Sequence, residues 1–299
     1  MRKTLVVGST NTDMVISNRV LPRPGETISG GSFMLNPGGK GANQAVAVSR
    51  LSSRKKSCVF VAKVGDDLFG RETAARMRKD GIDARLCIDK KEPSGTALIL
   101  VDAKGQNEIS VALGANGTLT PAEALSKIGD FKDFAAVLMQ LETPIKTVLA
   151  VAEQAKKNGV MVILNPAPAA KLPKKLYSLI DWITPNETEA EILTGVKVTD
   201  VDSAAKAVKS LKRRGVGHVL ITMGVKGVYC GDCGKLFPAR KVKAVDCVAA
   251  GDVFNGAFVS ALVEGRAVEE AIAFAQKAAS ISVTRRGAQS SVPQRKEVI

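Results

Sequence analysis

Short runs of apolar, often β-branched residues recur along the chain and predict the strands of a sheet. The runs are TLVVGS (4–9), CVFVAKVG (58–65), TALILVD (96–102), AAVLMQL (135–141), VMVILNP (160–166), DWITPN (181–186) and HVLITMG (218–224). Most are continuously apolar, which is typical of strands buried on both faces of a parallel sheet.

Helical patterns alternate with these runs from residue 131 onward. They are TPIKTVLAVAEQAKKN (143–158), ETEAEILTG (187–195) and DSAAKAVKSLKRRG (202–215), followed by two long segments at about 251–265 and 267–285. Gly215 is placed to end the third helix. Alternating strands and helices predict an α/β fold, with a central, mostly parallel sheet flanked by helices.

Two stretches in the first half of the chain break this alternation. Residues 13–36 and 94–113 are rich in Gly, Pro and Thr, and they predict antiparallel strands in hairpins. We expect them to form a small β-sheet lid over the strand ends. Because no linker, repeat or low-complexity segment divides the chain, residues 1–299 are predicted to form a single domain that carries this lid.

Composition narrows the class of protein. Hydrophobic residues make up 45% of the chain and aromatic residues only 4%, so Val, Ile, Leu and Ala must fill the core. No apolar segment is long enough to cross a bilayer, and the opening MRKTLVVGSTNTD lacks the pattern of a cleavable signal. We therefore expect a cytoplasmic location and no membrane partner.

The net charge of +14 raises the possibility of a nucleic-acid partner. However, the basic residues lie in scattered clusters such as RKK (54–56), KK (174–175) and KRR (212–214), without interleaved aromatic residues or a recognition motif. We interpret them as solvated surface and expect no nucleic-acid partner. A basic field also favours small anionic substrates.

The five cysteines are odd in number and lack the spacing of a disulfide framework, which indicates reduced thiols. Cys230-Gly-Asp-Cys233 is open to interpretation as a zinc site or redox pair. Zinc requires further ligands, and the single histidine, His218, opens an apolar run. A Gly-Asp hairpin turn between two strands is the favoured interpretation.

Polar residues follow several predicted strands, at the end where open α/β sheets bind ligands. They are Asn11 and Asp13 after the first strand, the helix-opening PGGKGANQA (37–45), Glu142 in MQLE, Asn186 and Glu189 in TPNETE, and TMGVKG (222–227). The chain has no G-x-x-x-x-G-K-[ST] phosphate loop and no G-x-G-x-x-G after its first strand. The two commonest nucleotide signatures are therefore excluded.

The stretch VDCVAAGDVFNGAF (245–258) places Ala249, Ala250 and Gly251 directly before Asp252 and an apolar, helix-like run. Small residues allow a close approach to the backbone, and the first turn of a helix has unpaired N–H groups with partial positive charge. This corner is predicted to attract an anion.

In this order, the blocks closely resemble the PfkB-type carbohydrate kinases. The resemblance covers almost the whole chain, through VVGSTNTDMV, PGETISGG, PGGKGANQAV, LMQLETP, LNPAPA, TPNETEAEILTG, LITMGVKGV, VDCVAAGDVFNGAF and SVTRRGAQSSVP. It implies a ribokinase-like fold with a β-lid. It also implies transfer of the γ-phosphoryl group of the co-substrate ATP to the 5-hydroxyl of D-ribose, giving ribose 5-phosphate.

The resemblance also assigns roles within the site. Asp252 is implied as the general base, with an anion hole formed by the backbone around Ala249, Ala250, Gly251 and Asp252. Sugar binding is implied for Asn11, Asp13, Gly39, Lys40, Asn43, Glu142 and Asp252. Nucleotide binding is implied for Asn186, Thr222, Met223, Gly224, Val225, Lys226, Gly227, Gly251 and Gln276.

Two metal ions and a partner follow from the same resemblance. Glu189 is implied to organise Mg²⁺ through water, because Mg²⁺ keeps much of its hydration shell. The implied site of an activating K⁺ comprises Asp246, Val248, Ser282, Arg285, Gly287 and Ser291. Cys247 departs from the threonine that the family usually has beside this site. A homodimer formed through the β-lids is also expected.

Alternatives remain open at this stage. One is another kinase of the same family, acting on 2-deoxyribose, fructose, a ketogluconate or a nucleoside such as adenosine. Another is a regulator that binds sugar or nucleotide without turnover, although the intact Gly251 and Asp252 argue against it.

Overall fold

The computed structural model describes residues 2–299. The strands in this part of the chain are β1 (Lys3–Val7), β2 (Asn11–Ser17), β3 (Ser32–Gly38), β4 (Cys58–Gly65), β5 (Asp83–Asp89), β6 (Gly95–Val101), β7 (Asn107–Ala112), β8 (Phe134–Met139), β9 (Met161–Leu164), β10 (Trp182–Ile183), β11 (His218–Thr222), β12 (Val228–Cys230) and β13 (Lys235–Phe237). The α-helices are α1 (Lys40–Leu51), α2 (Leu68–Lys79), α3 (Pro121–Ile128), α4 (Ile145–Lys157), α5 (Lys174–Tyr177), α6 (Glu187–Thr194), α7 (Val201–Arg213), α8 (Ala250–Val263), α9 (Val268–Ser282) and α10 (Arg295–Val298).

The large sheet has the strand order β13-β12-β11-β10-β9-β8-β1-β4-β5. The seven strands β11, β10, β9, β8, β1, β4 and β5 pair in parallel with their neighbours. At the β11 edge, β12 and β13 add an antiparallel hairpin. Helices cover both faces. The predicted α/β fold with a central, mostly parallel sheet is confirmed.

Strand residues alternate between two cores, one on each face of the large sheet. Leu5 and Val7 of β1 join the core built with α4 and α7, whereas Val6 joins the core built with α1, α8 and α9. This two-sided burial explains why the strands have continuously apolar sequences. The carboxyl ends of the strands are left to carry polar residues.

The small sheet has the order β3-β2-β6-β7. β2 pairs with β3 and β6 pairs with β7 in antiparallel hairpins, as the sequence predicted, and a parallel β2–β6 pairing joins the two hairpins. The run 96–102 therefore belongs to the small sheet and not to the central one. Its Leu98 is exposed, unlike the side chains of a strand covered on both faces.

The predicted helical segments correspond to α4, α6, α7, α8 and α9, with ends that differ by up to three residues. Gly215 lies just beyond α7 with φ 107, a conformation that favours glycine. The sequence did not reveal α2 and β5. Only Gly70, Thr73 and Met77 of α2 are buried, so its apolar face is too short to give a helical period.

Cys230 and Cys233 flank the turn between β12 and β13, and Cys230 pairs with Lys235 across the hairpin. The favoured interpretation of this stretch as a hairpin turn is confirmed. Asp232 in the turn bonds to Lys212 and to His218. Within residues 2–299, no helix is both long and apolar enough to cross a membrane.

Candidate active site

Two helix starts meet above the carboxyl ends of the central strands. Gly39 precedes α1 with φ 88, and a Cβ atom there would lie 2.7 Å from the backbone N of Asn11. A Cβ atom on Gly41 would lie 2.6 Å from the backbone N of Ser9. Both distances are shorter than any contact a real Cβ atom makes, so glycine is required where α1 begins against the end of β1.

Asp252 lies in the first turn of α8 and is only 6% exposed. Its Oδ2 accepts a hydrogen bond from Asn43 Nδ2 at 3.0 Å, and its Oδ1 accepts one from Gln44 Nε2 at 2.8 Å. Asn43 and Gln44 are both on α1. The start of one helix thus fixes the carboxylate at the start of the other.

Burial raises the pKa of Asp252 above its usual value, and Glu142 raises it further. Lys40 and the donors on Asn43 and Gln44 act in the opposite direction, without cancelling the effect of burial. Burial lowers the pKa of Lys40, but attraction by Asp252, Glu142 and Glu189 outweighs it, so the net shift is upward. Lys40 therefore remains a cation facing these carboxylates.

The residues predicted to bind the sugar form one group, which we call the sugar side: Asn11, Asp13, Gly39, Lys40, Asn43 and Glu142. Glu142 Oε2 accepts hydrogen bonds from Ser9 Oγ at 2.5 Å and from the backbone N–H of Lys40 at 2.9 Å. Burial and repulsion by Glu142 raise the pKa of Asp13 to about 6. The structure brings these side chains to the same strand ends as Asp252.

The backbone at the start of α8 is unusual. Ala249 has φ 60 and ψ 10, a left-handed conformation that is uncommon for a residue other than glycine. Within residues 2–299, the N–H groups of Gly251 and Asp252 have no hydrogen-bond partner, whereas that of Ala250 bonds to the Cys247 carbonyl at 3.3 Å. Apart from the adjoining residues and the backbone of α8 itself, no atom lies within 4 Å of a Cβ position on Gly251. This corner has open space beside two unpaired donors.

Apart from Gly251 at the start of α8, the residues predicted to bind the nucleotide are Asn186, the turn 222–227 and Gln276, which we call the nucleotide side. Asn186 caps α6 in a capping box with Glu189, and it forms a β-bridge with Thr222. Met223 N–H bonds to the Gly227 carbonyl at 2.7 Å, and Val225 between them is 95% exposed.

Gln276 lies on α9, where its Nε2 bonds to the carbonyl of Phe237 at 2.8 Å. Glu189 connects the nucleotide side to the catalytic corner. Burial raises the pKa of Glu189, and its charge interacts with those of Lys40 and Asp252.

The predicted K⁺ residues lie in two segments that contact each other: the loop before α8, and the stretch that runs from the last residue of α9, Ser282, to Ser291. Asp246 Oδ1 accepts the N–H of Val248 and Oδ2 accepts the N–H of Gly287, both at 2.9 Å. The Val283 carbonyl accepts the N–H groups of Val245 and Asp246. Carboxylate, hydroxyl and carbonyl oxygens are hard donors of the kind that suits K⁺. The loop that contains Asp246 leads directly to Ala249.

Sequence reasoning missed several residues that support this site. Ser9 holds Glu142, and Asn116 donates from Nδ2 to Asn11 Oδ1 at 2.8 Å. Gln44 and Asn165 are buried and connected to Asp252. Gln44 stands next to Asn43 in PGGKGANQA, and Asn165 directly follows β9. Their positions in the sequence could therefore have identified them as candidate site residues. No sequence feature pointed to Asn116.

A buried carboxylate of raised pKa lies beside unpaired N–H groups at a helix start. The carboxylate is suited to taking a proton from a hydroxyl, and the N–H groups are suited to stabilising the charge of a transferring anionic group. Fold and site together define the class of a phosphotransferase that acts on an alcohol.

Known proteins agree with this class. The sequence model of the pfkB family carbohydrate kinases matches residues 1–295, and the chain belongs to this family. It is a sugar kinase that transfers phosphate from ATP.

The chain is 46% identical to a ribokinase of Haemophilus influenzae over 100% of its own length and 98% of that protein. It is 38% identical to a deoxyribokinase of Salmonella typhi, covering 96% and 94% of the two chains. The structure of Arabidopsis thaliana ribokinase complexed with ribose and ATP matches with a TM-score of 0.90 at 34% identity, covering 99% and 97%.

Proposed function

We propose that this kinase phosphorylates D-ribose at its 5-hydroxyl with ATP, giving ribose 5-phosphate. The observation that carries the proposal is the position of Asp252, whose carboxylate lies between the sugar side and the unpaired N–H groups of Gly251 and Asp252. The full-length similarity to ribokinases supports ribose as the acceptor.

Asp252 takes the proton from the 5-hydroxyl as the oxygen attacks the γ-phosphorus of ATP. The raised pKa brings this base closer to neutral pH, where proton transfer is more favourable than with an ordinary aspartate. The N–H groups at the start of α8 stabilise charge on the phosphoryl oxygens. The bond from the γ-phosphorus to the bridging oxygen breaks, and ADP leaves.

The sugar side binds the acceptor through fixed polar groups. Asn116 occupies Asn11 Oδ1, which leaves Asn11 Nδ2 to donate to a sugar hydroxyl. Asp13 and Glu142 accept from hydroxyls, and Lys40 donates. A site of this kind rejects an analogue that lacks a hydroxyl, because a buried group is then left unpaired.

The nucleotide side holds ATP. The turn 222–227 offers backbone groups and the exposed Val225 side chain to the base and ribose of the nucleotide. Gln276 positions the segment at Phe237 by holding its carbonyl.

Glu189 is the residue of the chain that fits Mg²⁺. It is a partly exposed carboxylate that faces both Lys40 and Asp252, and hard oxygen donors suit this ion. Mg²⁺ when bound neutralises charge on the phosphates of ATP. Asn186 orients Glu189 by donating from its backbone N–H at 2.9 Å.

Asp246 and its neighbouring loop form the K⁺ site. The proposal rests on the close contact of the loop containing Asp246 with that containing Gly287. K⁺ acts as an activator here, because the loop that it orders leads to the left-handed Ala249. Replacing K⁺ by Na⁺ is expected to reduce kcat and leave ATP binding unchanged.

The small sheet serves as a lid and as a dimer interface. It carries exposed apolar side chains on its strands: Ile16, Phe33, Met34, Leu35, Leu98, Ile109 and Val111. The strand register places Ile16, Phe33, Leu35 and Leu98 on one face of the sheet, and Met34, Ile109 and Val111 on the other. An exposed apolar face marks an interaction site, and a second copy of the sheet would cover one of these two faces. A monomeric mass measured by solution scattering would exclude the proposed dimer.

We also propose a cytoplasmic location, which fractionation of cells tests.

The sugar specificity is tested by ADP formation with Mg²⁺ and K⁺ across D-ribose, 2-deoxyribose, fructose and adenosine. Ribose is expected to give the highest kcat/KM. A preference for 2-deoxyribose would favour the activity that the Salmonella typhi relative is named for. The absence of turnover with every acceptor would favour a regulator.

A further inference from the structure

A chain of buried amide and hydroxyl groups starts at the Asp252 carboxylate. Gln140 Nε2 donates to Gln44 Oε1 at 2.6 Å, and Gln44 Nε2 donates both to Asn165 Oδ1 at 2.9 Å and to Asp252 Oδ1 at 2.8 Å. Asn165 Nδ2 continues to the Thr184 carbonyl at 3.1 Å. Three consecutive strand ends are connected in this way.

The chain then returns to the helix that carries Asp252. Thr184 Oγ1 donates to Asn255 Oδ1 at 2.5 Å, and Asn255 Nδ2 donates to the Gly251 carbonyl at 2.8 Å. It therefore begins at the side chain of Asp252 and ends at the peptide group directly before it. The four polar residues between them are Gln44, Asn165, Thr184 and Asn255, and each of these, like the branching Gln140, is at most 7% exposed.

Gln44 is the member whose orientation is fixed most completely. Its carbonyl oxygen accepts from Gln140, and its amide nitrogen donates to two oxygens. The reversed amide would place its oxygen against the Asp252 carboxylate and against Asn165 Oδ1, which the bond from Asn165 Nδ2 to the Thr184 carbonyl keeps in place. Both contacts would be repulsive, so the surroundings allow one orientation, with a donor aimed at Asp252.

We propose that Gln44 is a positioning residue for phosphoryl transfer: held by Gln140 and Asn165, it fixes the Asp252 carboxylate and stabilises its ionised form. This inference rests on the proposed role of Asp252 as the base. Asn43 also bonds to Asp252, but it belongs to the sugar side. Gln44 does not belong to the sugar side, and its side chain is fully buried.

Several other groups around Asp252 also affect its pKa, and their effects differ in direction from one another. Lys40 and the donors on Asn43 and Gln44 favour the ionised carboxylate, whereas burial and Glu142 oppose it. Glu189 also interacts with Asp252 across the site. Removing the Gln44 donor must therefore raise the pKa of the base while these other groups remain.

The test is Gln44→Met, which keeps the length of the side chain and removes its hydrogen bonds. We expect the acidic limb of the pH profile of kcat/KM to move up by about one pH unit, because a hydrogen bond to the charged form is lost. We expect kcat at neutral pH to fall on the order of tenfold, and the Kd for ATP to stay unchanged. Gln44→Glu adds a like charge and should move the limb further.

The matched control is Ser260→Ala. Ser260 is also buried between α1 and α8, but it bonds to Val48 and Gly256 and has no contact with Asp252. Its profile should coincide with that of the unchanged protein. Asn165→Leu, which releases Gln44 without touching the base, should move the limb in the same direction by less. It also provides the test if Gln44→Met does not fold.

An acidic limb that stays in place in folded Gln44→Met, or in folded Asn165→Leu where Gln44→Met does not fold, would overturn the proposal. So would an equal shift in Ser260→Ala, because the change would then reflect general loosening of the helix contact. Asp252→Asn, assayed in parallel, separates this inference from the function on which it rests. Full turnover in that variant would remove the base itself, whereas an inactive Asp252→Asn with an unmoved Gln44→Met limb would remove only the role of Gln44.

Discussion

The sugar side and the nucleotide side of this kinase are built differently. On the sugar side, Asn11 and Asn43 are buried, and Glu142 is held by Ser9 and by the backbone of α1. On the nucleotide side, Asn186 and residues 224–226 are exposed, and their hydrogen bonds are mostly local ones of a cap and a turn.

This difference indicates where each half obtains its selectivity. The side chains of the sugar side are held by hydrogen bonds without a ligand, so, with the proposed sugar-binding role, a small change in the acceptor is expected to leave a buried group unpaired. The nucleotide side relies on backbone groups of a turn and on an exposed apolar side chain. The start of α8 combines a carboxylate that Asn43 and Gln44 hold with two unpaired N–H groups, those of Gly251 and Asp252.

The largest effect short of removing the base is expected at Gly251, between the two sides. Gly251→Ala places a methyl group in the open space where the phosphoryl group is proposed to lie, so kcat should fall by about a hundredfold. The free energy of unfolding should not fall, because apart from the adjoining residues and the backbone of α8 itself no atom lies within 4 Å of that methyl group. Steady-state kinetics and thermal unfolding check both points. An unchanged kcat would place the phosphoryl group elsewhere.

Glu142→Gln should affect the sugar side and the base Asp252, but not the nucleotide side. We expect the KM for ribose to rise about tenfold, since the carboxylate acceptor becomes a neutral amide, and the KM for ATP to stay the same. Because Glu142 raises the pKa values of Asp13 and Asp252, its removal should move the acidic limb of the rate profile to lower pH. A rise in the KM for ATP of equal size would contradict the separation of the two sides.

Asp13→Asn tests whether the ionised Asp13 carboxylate is destabilised by its burial and by repulsion from Glu142. The pKa of Asp13 is about 6 in the folded protein against an ordinary value of 3.8, so the folded state binds this proton more tightly. Stability attributable to protonated Asp13 is complete below about pH 4 and is lost as the pH rises through 6. The variant should therefore unfold with a free energy about 1–3 kcal/mol higher at pH 8 and unchanged at pH 4. Equal stability at pH 8 would contradict the assignment.

Val225→Ser should produce the smallest effect and only on the nucleotide side. If ATP covers this exposed side chain, the KM for ATP rises about three- to tenfold while kcat and stability stay unchanged. Val242→Ser, also exposed but outside the turn 222–227, is the matched control. An equal response in the two variants would remove Val225 from the nucleotide contact.

The sequence predicted the architecture because burial on both faces leaves a clear apolar pattern in β1, β4 and β8. The sequence identified 96–102 as a strand but did not show which of the two sheets it joins, since apolar strands in a lid and in a core have similar sequences. The parallel pairing of β2 with β6 joins residues more than 80 positions apart, and no local pattern encodes such a contact.

Candidate site residues were accessible from the sequence where they lie in glycine-rich or strand-end motifs, as with Asn43 and Asp252. Their supporting residues were less accessible. Asn116 contacts Asn11 across 105 positions, and Ala249 adopts a left-handed conformation although the sequence has no glycine at that position. Contacts made by the fold, and not by local sequence, supply this part of the site.

The central claim is that one corner, the start of α8, supplies both the base and the anion hole. The most direct measurement compares Asp252→Asn with the unchanged protein in ribose-dependent ADP formation and in ATP binding. We expect turnover to fall by about a hundredfold or more, because the base is removed. The Kd for ATP should stay nearly unchanged, because the backbone donors remain. Turnover at the original rate would show that another group takes the proton and would contradict the account.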